Sequence, residues 1–381
     1  MLLTEDQRDF QALARDFLDR HVVPHRAQWD RAESVDVSIC PALGDLGFFG
    51  LTIPEEHGGV GGDHRTYCLA LEELGRADSS VRGIVSVSAG LVAKTLYLHG
   101  TDAQRQEWLP DLAAGRRLAC FGLTEPNSGS DPASLRARAV RRGGDYVLNG
   151  SKIFITNGTW ADVCLLFART GADGPRGVSA FLVPTDTPGF EARPVDGKLG
   201  LRGQATAEIA LTDVVVPADA LVGEEGGGFR LAMAALDRGR ISVAAGCVGI
   251  VQGALEAAVE YAGERPQFGR PIASFQLVQD MIAQMAVDAD AARLLTWNAA
   301  DLLEAGRPFS TAASKAKLFA SEAAVRAANL AVQVFGGYGF IDEYPVEKYL
   351  RDARVMTLYE GTSQIQKLLI GRAETGVNAF V

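Results

Sequence analysis

One segment late in the sequence combines a carboxylate with a turn and a helix start. It reads Leu-Tyr-Glu-Gly-Thr-Ser-Gln, with Glu360 before Gly361 and with Thr362 as a candidate N-cap. The positive end of a helix favours a carboxylate, and its free N–H groups can also bind ligand oxygens. The segment therefore predicts either a catalytic carboxylate or a simple partner of the helix dipole.

Two further segments contain residue types that can bind ligands. They lie in the part of the chain where helical periodicity is replaced by short β-branched runs. The first, 121–131, reads Phe-Gly-Leu-Thr-Glu-Pro-Asn-Ser-Gly-Ser-Asp. Its glycines and hydroxyls suit close contact with carbonyls, phosphates or a heteroaromatic edge. The second contains Phe154 and Thr156, which lie on one side of a predicted strand. The alternatives are an interdomain turn and an ordinary half-buried strand.

A fourth segment, 333–340, places Gly336, Gly337 and Gly339 at the end of a long alanine-rich stretch. Glycines there either let the backbone approach a ligand or serve only to cap the helix. The spacing alone does not separate these two interpretations.

The composition excludes several classes of function. The 381 residues contain 37 Lys and Arg against 47 Asp and Glu, which gives a formal net charge of −10. An acidic protein is unsuited to coating nucleic acid or an anionic membrane, because both need a basic field. Any anionic ligand must therefore be held by local cations.

The sequence also limits where the protein is expected in the cell and which reactions it is expected to catalyse. No run of about 18 apolar residues is present, and the chain begins with acidic and polar residues, so we predict a cytoplasmic protein without membrane insertion. The five cysteines are far apart, which predicts small buried side chains and no metal site. All five histidines precede residue 100 and no Gly-x-Ser-x-Gly motif occurs, which disfavours a hydrolase triad.

Three regions that differ in composition and periodicity must position these motifs. Residues 1–119 have helical periodicity, residues 120–224 carry prolines and short β-branched runs, and residues 225–381 hold long alanine-rich helices. Within the middle region, Asn149-Gly150 predicts the turn of a β-hairpin. We expect an α+β protein, in the order helical domain, β domain, helix bundle. No Rossmann glycine motif or Walker loop occurs.

Taken together and in this order, the four segments and the layout resemble the acyl-CoA dehydrogenase family along essentially the whole chain. The resemblance implies an N-terminal all-α domain, a middle β-barrel-like domain and a C-terminal four-helix bundle, usually in a homotetramer. It also implies one FAD per subunit in an extended cleft, an acyl-CoA substrate and an electron-transferring flavoprotein as acceptor.

The resemblance gives each motif a role. Glu360 matches the catalytic base, and Phe154 stands where the family often has Trp against the flavin ring, so an indole N–H is missing. The residues that match FAD contacts are Phe121, Leu123, Thr124, Gly129, Ser130, Phe154 and Thr156 along the flavin; Arg265, Gln267, Phe268 and Gln276 towards a neighbouring subunit's FAD; Gln333, Gly336 and Gly337 at the other adenosine-diphosphate contact; and Thr362 and Gln364 after the base.

Four residues match contacts with the acyl-CoA. Ser130 and Gly361 lie near the acyl group in the family. Asp237 and Arg240 resemble the Asp-x-Gly-Arg of short-chain members, where they contact the CoA end. Arg240 would then be one of the local cations that an acidic protein needs for an anionic ligand. The alternative is an ordinary ion pair on a helix face.

Arg82 begins an apolar helix that lines the far end of the acyl pocket in this family. The glutaryl-CoA branch has an arginine at what looks like this position, where it pairs with the substrate's distal carboxylate. An unpaired arginine in a dry pocket is costly, so a carboxylated acyl chain explains it. The alternative is an exposed arginine paired with Asp78.

These assignments predict the FAD-dependent α,β-dehydrogenation of a short or medium acyl-CoA to its trans-2-enoyl-CoA. Glu360 removes the α-proton, a step that needs a carboxylate of raised pKa in a dry cleft, and the β-hydride goes to the flavin. A dicarboxylyl-CoA is a candidate substrate through Arg82. The alternative keeps the fold but uses an acyl group on an acyl carrier protein, or oxygen as in an oxidase or monooxygenase.

Overall fold

The N-terminal region is helical, as the periodicity predicts, in a computed structural model that describes residues 3–380. Thr4 and Thr101 each begin a helix with a capping box, in which the hydroxyl accepts from the third backbone N–H. The helices are α1 (Glu5–His21), α2 (Arg26–Ala32), α3 (Ile39–Asp45), α4 (His64–Ala77), α5 (Ser79–Val85), α6 (Lys94–His99) and α7 (Asp102–Ala113), and a π-helical segment, Ser86–Ala93, joins α5 to α6.

The middle region forms one mixed sheet. Seven strands lie in the order β6-β7-β3-β2-β4-β5-β8, and β1 pairs in parallel with β4. The inward side chains of these strands form a separate apolar core. The strands are β1 (Ala119–Gly122), β2 (Arg138–Arg142), β3 (Asp145–Thr156), β4 (Val163–Arg169), β5 (Val178–Pro184), β6 (Phe190–Pro194), β7 (Thr206–Pro217) and β8 (Leu221–Val222).

The hairpin predicted at Asn149-Gly150 is wrong, because β3 runs through both residues as a single strand. Both halves of β3 pair with β7, and the register shifts at Gly150. Gly150 has a φ of 143°, and a Cβ there would lie 2.7 Å from the Cα of Ala137. The glycine therefore permits a close approach of two strands instead of a turn.

The C-terminal region is a bundle of long helices that also packs on the N-terminal domain. Gly75 of α4 meets the bundle so closely that a Cβ there would lie 2.2 Å from the carbonyl oxygen of Gly246. The predicted α+β class, with a helical, a sheet and a helical domain, is confirmed. The elements are α8 (Gly228–Glu264), β9 (Pro266–Gln267), β10 (Arg270–Pro271), α9 (Gln276–Glu304), α10 (Ser310–Phe335), α11 (Val346–Met356) and α12 (Ser363–Thr375).

Two helical stretches, Ser79–His99 and α8, are long and apolar enough to cross a membrane by length and composition alone. In each of them, 78% of the apolar window is buried inside the protein. Both stretches are therefore core helices of this fold. All five cysteines are also buried, as predicted.

Candidate active site

The three regions meet around a cavity of about 510 Å³. Its walls come from α5 and the π-helical segment, the loop after β1, strand β3, α8, and the turn between α11 and α12. Residues that are distant in sequence thus share one concave surface. The predicted site residues on its wall are Arg82, Phe121, Leu123, Thr124, Gly129, Ser130, Phe154, Thr156, Arg240, Glu360 and Gly361.

Glu360 lies in a turn of unusual backbone conformation. Its φ is 55° and that of Gly361 is 85°, so two consecutive residues are left-handed. A non-glycine residue in this region costs about 1 kcal/mol, and such strain is typical of functional sites. Two side chains hold the turn: Gln366 Nε2 donates to the carbonyl oxygens of Glu360 and Gly361, both at 3.1 Å, and Lys317 Nζ donates to that of Gly361 at 2.8 Å.

The carboxylate of Glu360 is held in the cavity without a protein partner. Its Oε2 is buried and forms no hydrogen bond within the part of the chain that the structure describes. Burial raises the pKa of Glu360 to about 7, although the charges of Arg240, Lys317 and Arg82 favour ionisation. A carboxyl group with such a pKa is suited to accept a proton at neutral pH.

Arg82 is only 2% exposed and lines the same cavity, so the interpretation as an exposed arginine paired with Asp78 is wrong. The reason is that Asp78 caps α5 and pairs with Lys348 Nζ at 3.1 Å. Arg82 Nη2 donates instead to the hydroxyl of Tyr359 at 2.5 Å, and Nη1 to that of Ser86 at 3.2 Å. Its Nε has no partner among the described residues.

Arg240 forms the ion pair that was one of its two interpretations, and it also lines the cavity. It forms the ion pair with Asp237, one turn earlier on α8. The guanidinium is also buried, lines the cavity and lowers the pKa of Glu360. Asp237 is half-buried and does not line this cavity.

An exposed aromatic ring and several hydroxyls form another part of the wall. Phe154 is 64% exposed and has a φ of 58°, so its ring is presented instead of buried. Thr156 lies two residues further along β3, and its hydroxyl accepts from Gln204 Nε2 at 3.0 Å. A second cavity of about 550 Å³ shares Phe154, Thr156 and Glu360 with the first.

A buried ion pair holds the loop that carries Thr124 and Ser130. Lys152 Nζ of β3 donates to Glu125 at 2.8 Å and to the carbonyl oxygen of Leu123 at 3.1 Å. Glu125 also accepts two backbone N–H groups from the segment after the loop. The loop is therefore fixed to the strand that presents the aromatic ring.

The residues present fit an FAD. The exposed ring of Phe154 offers a stacking face for a flat heteroaromatic system, and Thr124, Ser130 and Thr156 offer hydroxyls at its edge. Two adjoining cavities share this wall and provide room beside it. These four residues would hold the flavin portion.

The residues predicted to contact the adenosine diphosphate form a separate group. A concavity of about 490 Å³ is lined by Arg265, Gln267, Gly336 and Gly337, and it shares no wall residue with the Glu360 cavities. Arg265 lies over the ring of Tyr338 at 5.3 Å. One chain alone therefore does not bring these residues to Glu360.

The other predicted cofactor residues fall into two groups, those that line one of these cavities and those that do not. Thr362 caps α12, accepting from the N–H of Ile365 at 3.2 Å, and lines the second Glu360 cavity. Gly336 caps α10 with a φ of 61°, so the capping interpretation also holds. The remaining four are exposed and line none of the three cavities: Phe268, Gln276, Gln333 and Gln364.

Sequence reasoning missed several residues that shape the site. Lys317 had a usable signal, because it is a lone lysine on a face of α10 that is otherwise alanine and serine. Gly239 had a weaker one, as a glycine inside a helix of good helix formers. Gln204 and Gln366 had none, since their partners are set by tertiary structure.

Known proteins of one family match this chain throughout. The models of the acyl-CoA dehydrogenase N-terminal, middle and C-terminal domains match residues 4–116, 120–214 and 226–375. The probable acyl-CoA dehydrogenase YngJ of Bacillus subtilis is 45% identical over 372 residues, which are 97% of this chain and 98% of the relative.

Two solved structures show the same likeness. The butyryl-CoA dehydrogenase of Megasphaera elsdenii has a TM-score of 0.96 at 41% identity and covers 98% of this chain and 99% of its own. A glutaryl-CoA dehydrogenase of Mycobacterium smegmatis, solved in complex with FADH2, has a TM-score of 0.96 at 36% identity and covers 100% of this chain and 97% of its own.

Proposed function

Because the chain belongs to the acyl-CoA dehydrogenase family of FAD-dependent oxidoreductases, we propose that it dehydrogenates a short or medium acyl-CoA between its α and β carbons. Glu360 is the base, and the product is the trans-2-enoyl-CoA. The likeness to a butyryl-CoA dehydrogenase supports a short acyl chain.

The position of the Glu360 carboxylate carries this proposal. Its buried Oε2 has no protein partner in the described chain, and burial raises the pKa of the group to about 7. A structural carboxylate of this kind would be paired, because an unpaired buried charge is costly. A base that must accept a proton from a bound substrate needs this free oxygen.

The chain's own residues account for the proton-transfer half of the reaction. Glu360 takes the proton from the α-carbon while Arg240 and Lys317 favour its ionised form. The backbone N–H of Glu360 donates no hydrogen bond to another described residue, so it is available for the thioester oxygen. When bound, the flavin supplies the acceptor for the hydride that leaves the β-carbon.

Two glycines of α8 give a length for the acyl group. A Cβ at Gly239 would lie 2.3 Å from Oε2 of Glu360, and one at Gly246 would lie 2.8 Å from Cδ of Arg82. Seven residues of helix separate these points by roughly 10 Å. An extended glutaryl chain spans roughly 5 Å from its α-carbon to its distal carboxylate, and a contact of about 3 Å at each end gives roughly 11 Å.

This spacing supports a dicarboxylyl-CoA of glutaryl or adipyl length as the preferred substrate. Its distal carboxylate would give Arg82 the anionic partner that it lacks in the cavity. A buried guanidinium whose partners are two hydroxyl groups and the sulfur of Met356, all uncharged, is otherwise an unfavourable arrangement.

Anaerobic addition of acyl-CoAs to the holoenzyme tests the proposed reaction. The visible absorption of the flavin should bleach in the wild type, and Glu360→Gln should retain flavin without bleaching. Glu374→Gln is the matched control, because Glu374 is exposed on α12 and forms its ion pair with Lys315, away from the cavity. Persistent colour with every acyl-CoA would overturn the proposal. Fast reoxidation by air, or reduction only by carrier-bound acyl groups, would support the alternative enzyme classes instead.

A panel of butyryl-, isobutyryl-, glutaryl- and adipyl-CoA tests the substrate. Arg82→Ala and Arg82→Gln should lower kcat/KM for the dicarboxylyl substrates by about 100-fold or more, since a buried ion pair that loses one partner costs about 3–5 kcal/mol. Butyryl-CoA should be affected by only a few-fold. An unchanged preference would refute the role of Arg82.

The residues predicted to contact the adenosine diphosphate lie apart from Glu360, which supports an assembly in which one subunit completes the FAD site of another. Arg265 and Gln267 lie away from Glu360 in the chain itself, so a homotetramer of the family type would bring them to a second subunit's cofactor. We further propose an electron-transferring flavoprotein as acceptor. Analytical ultracentrifugation, and reoxidation assays with such a flavoprotein, test these two points.

A further inference from the structure

Lys317 is a buried lysine that no step above requires as a reactant. It lies on α10, and its side chain is fully buried. Its neighbours on the same helix face are small and all buried: Ala313, Ser314, Ala320 and Ser321. Burying an ammonium costs several kcal/mol, so a position that served only packing would favour an apolar side chain.

The ammonium is directed at the turn that carries Glu360. Nζ donates to the carbonyl oxygen of Gly361 at 2.8 Å, and this is its one hydrogen bond among residues 3–380. Gln366 donates to the same oxygen and to that of Glu360. The carbonyls of two consecutive left-handed residues are thus held from α10 and α12, which leaves the carboxylate and the N–H of Glu360 for the cavity.

The charges around this lysine come from three elements. Glu360 in the turn, Glu322 on α10 and the Cys247 thiol on α8 favour its charged form, whereas Arg240 on α8 opposes it. Burial is the largest influence and lowers the pKa of Lys317 to about 8. In return, Lys317 acts with Arg240 and Arg82 to favour the ionised form of Glu360.

We propose that Lys317 is a positioning residue for the base: its ammonium fixes the Glu360–Gly361 turn and supplies a positive charge that keeps the Glu360 carboxylate ionised. This inference rests on the proposed function, in which Glu360 accepts the α-proton. It assigns two separable effects to one side chain, a hydrogen bond that sets geometry and a charge that sets protonation.

Two substitutions separate these effects. Lys317→Gln keeps a donor but removes the charge, and Lys317→Met removes both. Lys315→Met is the matched control, because Lys315 lies on the same helix, is exposed and pairs with the exposed Glu374. The readout is the pH dependence of anaerobic flavin reduction by a saturating acyl-CoA. Flavin content and the free energy of unfolding are measured alongside.

Both variants at Lys317 should move the acidic limb of the pH profile upward by about one unit, because an opposite charge near the carboxylate is lost. Lys317→Met should also lower the plateau rate by about tenfold or more, through loss of the turn geometry. Lys317→Gln should keep most of that rate, and Lys315→Met should match the wild type. A merely structural role would lower stability without moving the limb.

An unchanged limb in a folded, flavin-loaded Lys317→Met or Lys317→Gln variant would overturn the inference. Where Lys317→Met gives no folded protein, Lys317→Gln decides the charge effect, and Lys317→Ala with added ethylammonium decides whether an amine restores the rate. Failure of the proposed function itself is distinguishable, since the wild type would then show no flavin reduction at all.

Discussion

Gly239→Ala tests whether the close approach of α8 positions the base. Gly239 lies in the interior of α8, where alanine is the better helix former by about 1 kcal/mol. The added carbon would lie 2.3 Å from Oε2 of Glu360 and 2.9 Å from Cδ2 of Leu91. Helix stability and catalysis are therefore expected to change in opposite directions.

The size of the effect follows from this contact. Nonbonded heavy atoms prefer about 3.5 Å, so the carboxylate must move by roughly 1 Å. The backbone of Glu360 cannot easily follow, because Lys317 and Gln366 hold its turn. A displacement of about 1 Å at a reacting group can cost about 100-fold in rate, or about 2.7 kcal/mol of activation free energy.

The assay is the stopped-flow rate of anaerobic flavin reduction, together with urea unfolding. Gly263→Ala is the control on the same helix, since among residues 3–380 no atom outside the adjoining helix backbone lies within 4 Å of the Cβ that it adds. It should keep the wild-type rate and gain about 0.5–1 kcal/mol of stability. A wild-type rate in Gly239→Ala would refute the reasoning, and a loss of rate that follows a loss of bound flavin would assign the effect to the cofactor site.

The pH profile of kcat/KM should rise with a midpoint near 7, because burial raises the pKa of Glu360 to about 7 and only the carboxylate accepts a proton. A midpoint near the ordinary glutamate value would contradict this. Lys152→Met should lower the free energy of unfolding by about 3 kcal/mol, since Glu125 stays buried without its cation; urea denaturation measures this, and no loss would show that the pair is dispensable. Phe154→Ala should release flavin on dilution, whereas Phe154→Trp should retain it, because the exposed ring supplies the stacking face; equal retention by the two variants would place the flavin elsewhere.

Local sequence patterns predict the structure correctly where it depends on residues that are close in the sequence. Thr4 is a recognisable helix start, because a capping box needs only the next three residues. The Asn149-Gly150 signal failed because pairing with β7, which begins more than fifty residues later, decided the path of the chain. A strong turn dipeptide is thus overridden when both flanking halves find the same partner strand.

The environment of Arg82 lay beyond sequence reasoning for a similar reason. Its nearest acidic neighbour, Asp78, was an obvious partner in sequence. In the fold, Lys348 of α11 takes that carboxylate, and Tyr359 replaces it beside the arginine. The choice depends on two residues more than 250 positions away, which no local pattern carries.

Helix α8 sets the dimensions of the site, although its closest contacts with the two key groups come from residues without side chains. Gly239 admits the carboxylate of Glu360, and Gly246 admits both the side chain of Arg82 and the backbone of α4 at Gly75. These glycines lie seven residues, or about two helical turns, apart, so one face of α8 leaves room for both groups. On the proposed function, a side chain at either position would displace the base or the arginine and so change the acyl group that fits between them.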